Sequence, residues 1–369
     1  MDIKVALARA PHADFTLEDA TLEDPRAGEV LVRIVGVGLC HTDLVARDQF
    51  IPIPLPAVLG HEGSGVVEQV GEGVTKVAPG DPVVLTFASC GHCRQCDADL
   101  PAYCRDFPML NFAGRRADGS SGIHVDGSPV SANFFGQSSF ASHALASERN
   151  VVKAPAGAPL HLLGPLGCGI QTGAGGVMRS LACPAGSTIA IFGGGPVGLS
   201  AVMGAKVQGC AAIIMVEPMP ARRQLALELG ATHAIDPAAG DVAAAVRAIL
   251  PEGAEFAFES SGREEVVAAA LSVLAPHGLL GLVGVPPKPE SALTINLASL
   301  ITYGHRIHGI IEGDSDLDGL IGELIALHGA GRFPFDRLIT TFPLDRINEA
   351  VESQLRGECV KAVLLPTPL

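Results

Sequence analysis

The sequence predicts an α/β protein in two parts, a β-rich domain of irregular strands and a doubly wound parallel sheet that binds a cofactor. Two patterns and the composition carry this reading. Before about Ala154 the chain is rich in valine, glycine and proline, and runs such as "GVVEQVG" and "GDPVVLTF" read as short strands between turns. Further on, "STIAIF", "AAIIMVE", "AEFAFESSG" and "GLLGLVGVPP" are apolar strand signals separated by helical stretches such as "REEVVAAALSVLAPHG". Hydrophobic residues make up 48% and charged residues 17% of the 369, a balance that suits about two folded domains and excludes disorder.

From the N-terminus, "MDIKVALARAPHADF" has no apolar core of signal-peptide length. No segment approaches the roughly 20 apolar residues of a membrane span, and a cytoplasmic location is expected. The formal net charge of −14 would repel a phosphate backbone, which argues against a nucleic-acid partner. The alternating run "EVLVRIVGV" reads as a strand and places Cys40, in "VGLCHTD", just past its end. "LGHEGSGVV" sets His61 and Glu62 in a glycine-rich turn, and "LGPLGCGIQTG" sets Cys168 at the approach to a helix. Singly, a cysteine or histidine is most often core, but Cys, His and Cys together form a three-ligand set for catalytic zinc with one open corner.

Four more cysteines crowd into "CGHCRQCDADLPAYC", at Cys90, Cys93, Cys96 and Cys104. Thiols stay reduced in the cytosol, and this spacing lets one loop present four sulfurs tetrahedrally to zinc. All four corners are protein, so this zinc is structural. Arg94 and Arg105 stand where they can offset its excess negative charge.

The stretch "STIAIFGGGPVGLSAVMGAKVQG" is a strand, a turn on Gly193, Gly195 and Gly198, and a helix. Glycines there let backbone N–H groups approach a pyrophosphate at the helix N-terminus. The next strand ends in Glu217, nineteen residues beyond Gly198, where a carboxylate binds ribose hydroxyls and repels a 2′-phosphate. Arg222 and Arg223 lie nearby and favour NADP, but the carboxylate weighs more and NAD is expected. Toward the end, "LDGLIGELIALHGAGRF" is a helix with Leu317, Leu320, Ile321, Leu324 and Leu327 on one face, and "CVKAVLLP" is a strand.

Taken in order, "CHTD", "GHEGSGVV", "CGHCRQC", "GCGIQTG" and "FGGGPVG" resemble the zinc-dependent medium-chain alcohol dehydrogenases over nearly the whole chain. The resemblance implies a GroES-like catalytic domain, residues 1–169 and 312–369, and a Rossmann NAD-binding domain, residues 170–311, with the active site in the cleft between them. It implies that Cys40, His61 and Cys168 hold the catalytic zinc, that Thr42 touches the substrate oxygen, and that Asp43 and Glu62 stand behind the metal. Lys361 and His41 would hold the cofactor pyrophosphate. Two zincs per chain, NAD and a homo-oligomer, dimer or tetramer, are expected.

The chemistry suits these residues. A divalent cation lowers the pKa of a bound alcohol oxygen, the Thr42 hydroxyl can take the released proton, and hydride passes to the nicotinamide. The family's usual relay histidine is replaced by Val45, which cannot carry a proton; a water chain or His41 must complete the route. Within the family the chain is most similar to the bacterial aryl-alcohol, or benzyl-alcohol, dehydrogenases. Phe87, Phe134, Phe135, Val285 and Ile311 match positions that line family pockets, and flat apolar walls suit an aromatic or allylic alcohol. Glutathione-dependent formaldehyde dehydrogenase and aliphatic alcohol dehydrogenase share the metal motifs and are the alternatives. A zinc-stabilised binding module would leave Cys40, His61, Cys168 and Glu217 unexplained.

Overall fold

In the computed structural model, which describes residues 1–366, the run "EVLVRIVGVG" forms the ten-residue strand Glu29–Gly38, buried along most of both faces. Alternation breaks down here because the strand lies inside a sheet. It ends at Gly38, where a Cβ would fall 1.9 Å from Glu62 Oε2, so a larger residue would push that carboxylate out of place. The sheet runs in spatial order Val151–Lys153, Pro82–Leu85, Gly63–Val70, Glu29–Gly38, Lys361–Leu365 and Ile339–Pro343, and His143–Ser147 also pairs with the central strand. A second sheet orders Ala57–Val58, Asp2–Ala8, Thr16–Leu22, Ile123–Val125 and Ser128–Pro129. Both belong to one unit, made of Met1–Gly169, Asp316–Ala326 and the segment from Asp336 onward.

The other unit is Ile170–Ser315 with Leu327–Phe335. The packing therefore groups 312–315 and 327–335 with the second unit, whereas the boundary drawn from sequence at 312 assigned them to the first. Its sheet is parallel throughout, in the order His233–Ile235, Ala212–Val216, Thr188–Phe192, Ala254–Glu259, Leu274–Leu282 and Arg306–Gly309. That is strand order 3-2-1-4-5-6, with the sense of the connections reversing beside the first strand. Ala190, Phe192, Ile214, Val216, Ala257 and Leu280 are buried in its core with Val246, Ala270 and Val273. Each large side chain among them contributes about 1.5–3 kcal/mol on burial. The helix Pro196–Gln208 begins with proline in its first turn and stops at Gly209, whose φ of 79° closes it with a left-handed cap. No helix among the described residues is long and apolar enough to cross a membrane.

Candidate metal centre and cofactor loop

Strand Glu29–Gly38 delivers Cys40 to the start of the helix His41–Arg47. The buried Asp43 in that helix organises the neighbourhood: its Oδ2 accepts from Cys40 N at 2.8 Å, and its Oδ1 accepts from Gly60 N at 3.0 Å and faces His61 Nδ1 at 2.9 Å. With the proton held on Nδ1 against Asp43, Nε2 is the free ligand atom. His61 Nε2 is buried and makes no hydrogen bond among the described residues. An orphaned polar atom of this kind costs about 1–3 kcal/mol, which a cation would relieve. Cys40, His61, Glu62 and Cys168 each offer a ligand atom, all within 4.8 Å of one another. The donor set fits zinc.

The electrostatics agree with the donor set. A hydrogen bond with Cys168 outweighs burial and, with His61, holds the Cys40 thiol well below its ordinary range. Burial alone would lower His61, but the charge and hydrogen bond of Asp43 override it and hold the imidazole well above its usual value. A thiol held low ionises readily, and the thiolate is the form of cysteine that ligates a divalent cation.

Glu62 and Lys361 form a buried pair behind these ligands. Lys361 Nζ lies 2.7 Å from Glu62 Oε1 and 2.6 Å from Oε2, and donates to Leu39 O at 3.0 Å; Gly169 N donates to Glu62 Oε1 at 3.2 Å. Burial pushes Glu62 up to about 7 against the opposing charge of Lys361. Burial would lower Lys361, but the Glu62 carboxylate raises it. Lys361, expected to help hold a pyrophosphate, is buried here and pairs with Glu62, tying the chain beside Cys40 to the loops of His61 and Cys168.

Thr42 Oγ1 is 3.7 Å from Cys40 Sγ, so its hydroxyl belongs to the site. His41 is exposed on the first turn of the same helix, and Val45 is half-buried one turn on. Of the five candidate pocket residues, two pack on the site: the Phe135 ring stacks on His61 at 4.4 Å and 23°, and Phe134 meets it edge-on at 5.3 Å. Phe135 holds φ 51° and ψ 31°, a left-handed backbone that bulky residues avoid. Phe87 is buried against Phe107 at 5.7 Å, as a core residue would be. Val285 and Ile311 are exposed residues of the other unit.

The four-cysteine loop closes as its spacing suggests. Sulfur pairs Cys93–Cys96, Cys90–Cys96 and Cys93–Cys104 are 3.6, 4.0 and 4.0 Å apart. The edge of a zinc–thiolate tetrahedron is roughly 3.8 Å, given Zn–S bonds of about 2.3 Å. The Arg105 guanidinium pairs with Asp106 at 3.0 Å and also interacts with the charges of Cys90 and Cys93, and Arg105 N donates to Cys93 Sγ at 3.5 Å. Cys90 N likewise donates to Cys104 Sγ at 3.3 Å. Backbone N–H groups lower Cys93 to about 6.

In the second unit Gly193 has φ 97°, and a Cβ on Gly198 would fall 1.8 Å from Gly193 O, so both glycines are required by the turn itself. A Cβ on Gly195 would meet nothing within 4 Å. Glu217 is buried, and its carboxylate accepts from Gly194 N at 2.6 Å and Met219 N at 2.8 Å, which fixes it against the glycine turn. The two arginines part company. Arg223 is engaged by Asp236 at 2.9 Å and by the carbonyls of Glu217 and Pro218, whereas Arg222 Nε has no partner among the described residues.

Sequence reasoning missed Thr86, Gln137 and Ser139, buried polar residues that hold the site's loops together. The polar run "GQSS" between apolar phenylalanines was the only signal.

A parallel nucleotide-binding sheet, together with a β-rich unit that carries two cation-ready clusters, defines a metal-dependent dehydrogenase. Residues 26–156 match the family described as alcohol dehydrogenase GroES-like domain, and residues 196–326 the family described as zinc-binding dehydrogenase. The chain is 48% identical over 364 residues to geraniol dehydrogenase of Castellaniella defragrans, covering 98% of this chain and 97% of that one. The crystal structure of benzyl alcohol dehydrogenase from Acinetobacter calcoaceticus is similar with a TM-score of 0.96 at 40% identity, covering 100% of both chains. A zinc-binding dehydrogenase from Sinorhizobium meliloti bound to NADP is similar with a TM-score of 0.83 at 26% identity, covering 99% of this chain and 100% of that one. The chain belongs to the zinc-dependent medium-chain alcohol dehydrogenases.

Proposed function

We propose that the protein interconverts primary alcohols carrying an adjacent aromatic ring or double bond with their aldehydes, using NAD and two zincs per chain. The observation that carries the substrate class is the wall of Phe134 and Phe135 against the candidate ligand His61. Aromatic rings packed on a candidate metal ligand suit a substrate with an adjacent ring or double bond, and similarity to a geraniol and a benzyl alcohol dehydrogenase supports the same class. Cys40, His61 and Cys168 would hold the catalytic zinc, and Cys90, Cys93, Cys96 and Cys104 the structural one. When bound, the zinc supplies Lewis acidity to the substrate oxygen and the nicotinamide accepts hydride from the carbinol carbon.

The remaining work falls to the chain. Asp43 keeps the proton on His61 Nδ1, so that Nε2 stays a ligand. The Thr42 hydroxyl takes the alcohol's proton and, with Val45 unable to accept it, passes it to water or to His41. Phe134 and Phe135 exclude water from that side of the ring. Gly193 and Gly198 shape the turn, Gly195 leaves room for the pyrophosphate, and Glu217 selects the ribose hydroxyls.

The test is a panel of benzylic, allylic and straight-chain primary alcohols assayed with NAD by NADH absorbance, together with zinc analysis. We expect two zincs per chain and kcat/KM at least tenfold higher for benzyl alcohol and geraniol than for ethanol. Cys168→Ser should abolish turnover and retain one zinc and the fold, whereas Cys96→Ser should lower stability or assembly. Full turnover by Cys168→Ser would end the assignment of the catalytic zinc.

A further inference from the structure

We propose that Gln137 is a positioning residue of the candidate metal centre, which fixes the His61 loop to the Cys168 loop through Thr86. The inference rests on reading Cys40, His61 and Cys168 as metal ligands. Gln137 is 1% exposed and its amide is fully bonded. Its Oε1 accepts from Gly63 N at 3.1 Å and from Ser139 Oγ at 2.9 Å; its Nε2 donates to His61 O at 2.9 Å and to Thr86 O at 3.2 Å. Two acceptor positions and two donors are all that a primary amide has, so this environment admits one orientation.

The connection continues from Thr86. Its buried hydroxyl donates to Gly167 O at 2.7 Å, on the residue preceding Cys168. Gly167 packs directly on that strand end, where a Cβ would fall 2.0 Å from Leu85 O. None of these bonds passes through Asp43, Glu62 or Lys361, so the path from His61 to Cys168 is independent of theirs. Phe135, two residues before Gln137, stacks on the His61 ring, so one short segment holds both the backbone and the imidazole of the same ligand. Without the amide, two buried carbonyls lose a donor and the ligand loops lose their shared anchor.

The experiment uses purified holoenzyme with Gln137→Met, which keeps side-chain length and deletes the amide, and Thr86→Val, which deletes only the hydroxyl. Zinc release to a chelator is followed in time, and the labile site is exchanged with cobalt(II) for its visible d–d spectrum. We expect the labile zinc to leave at least tenfold faster in Gln137→Met and severalfold faster in Thr86→Val. Cobalt bands should shift, while the four-cysteine zinc and the KM for NAD stay as in wild type. Wild type with a single zinc per chain would sink the metal-centre reading itself. Two zincs in wild type, with wild-type release and spectra in both variants, would overturn the role of Gln137 alone. Equal loosening of both zincs would also overturn it, as a general loss of structure. If Gln137→Met fails to fold, Thr86→Val decides by the same criteria.

Discussion

Glu217 sits at the end of its strand with two backbone N–H groups on its carboxylate. A carboxylate has about four acceptor positions, so it can still accept from a ribose diol while repelling a 2′-phosphate. Arg223 is neutralised by Asp236, which leaves Arg222 as the nearby cation to favour the phosphate. We therefore expect wild type to prefer NAD, and Glu217→Ser to lower the NAD to NADP ratio of kcat/KM by tenfold or more. Wild type with the higher kcat/KM on NADP would defeat this weighting. The same residues show what local reading can reach. Glu217 was legible because its position follows from the spacing of strand and glycine turn, whereas the partner that disarms Arg223 lies just past the end of another strand, His233–Ile235. The pairing of Lys361 was hidden for the same reason: its partner Glu62 is 299 residues away in sequence, and burial of an ammonium leaves no mark in a local window.

At the scale of elements, the glycine turn separates packing from recognition. A Cβ on Gly198 collides with Gly193 O inside the turn, whereas one on Gly195 meets open space with φ −77° already allowed to alanine. Gly198→Ala should therefore destabilise by about 1–3 kcal/mol, as overpacking does. Gly195→Ala should melt within about 0.5 kcal/mol of wild type, as a substitution that touches nothing does. With saturating NAD, wild type should gain stability and Gly195→Ala should lose most of that gain, because the new methyl stands where backbone approaches pyrophosphate. Thermal melting with and without NAD reads both; an intact NAD-induced rise in Gly195→Ala would place the pyrophosphate elsewhere. This turn and the four-cysteine loop were readable because each is contiguous in sequence. The brace through Gln137 was not, since its bonds join residues 51 and 81 positions apart. The left-handed Phe135 was equally hidden: such strain costs about 1–3 kcal/mol and is tolerated only where surrounding contacts hold it.

At the scale of the whole molecule, the net charge of −14 sets the molecule against polyanions, and the remaining question is what the chain does with its exposed apolar surface. The parallel sheet ends on one side at Arg306–Gly309, a strand with a single neighbour among the described residues. The helix Leu297–Tyr303 precedes it and exposes Leu297 at 69% and Ile301 at 79%, four residues apart and hence on one face. The sequence did not reveal this, because "LASLITY" has the composition of a core helix. Burying two copies of each side chain in a twofold interface would contribute roughly 6–12 kcal/mol, from about 1.5–3 for each. Association costs about 4–15 kcal/mol, so the side chains alone come close to break-even. Pairing the free edge of Arg306–Gly309 with its own copy adds backbone hydrogen bonds and removes an edge that otherwise invites aggregation. We expect a homo-oligomer built from such dimers. Sedimentation equilibrium at micromolar concentration should give a mass of at least twice the chain, and Ile301→Asp, which would bury two carboxylates across the twofold axis, should shift it toward monomer. A monomeric wild type at that concentration, or an Ile301→Asp variant as associated as wild type, would remove this edge as the contact.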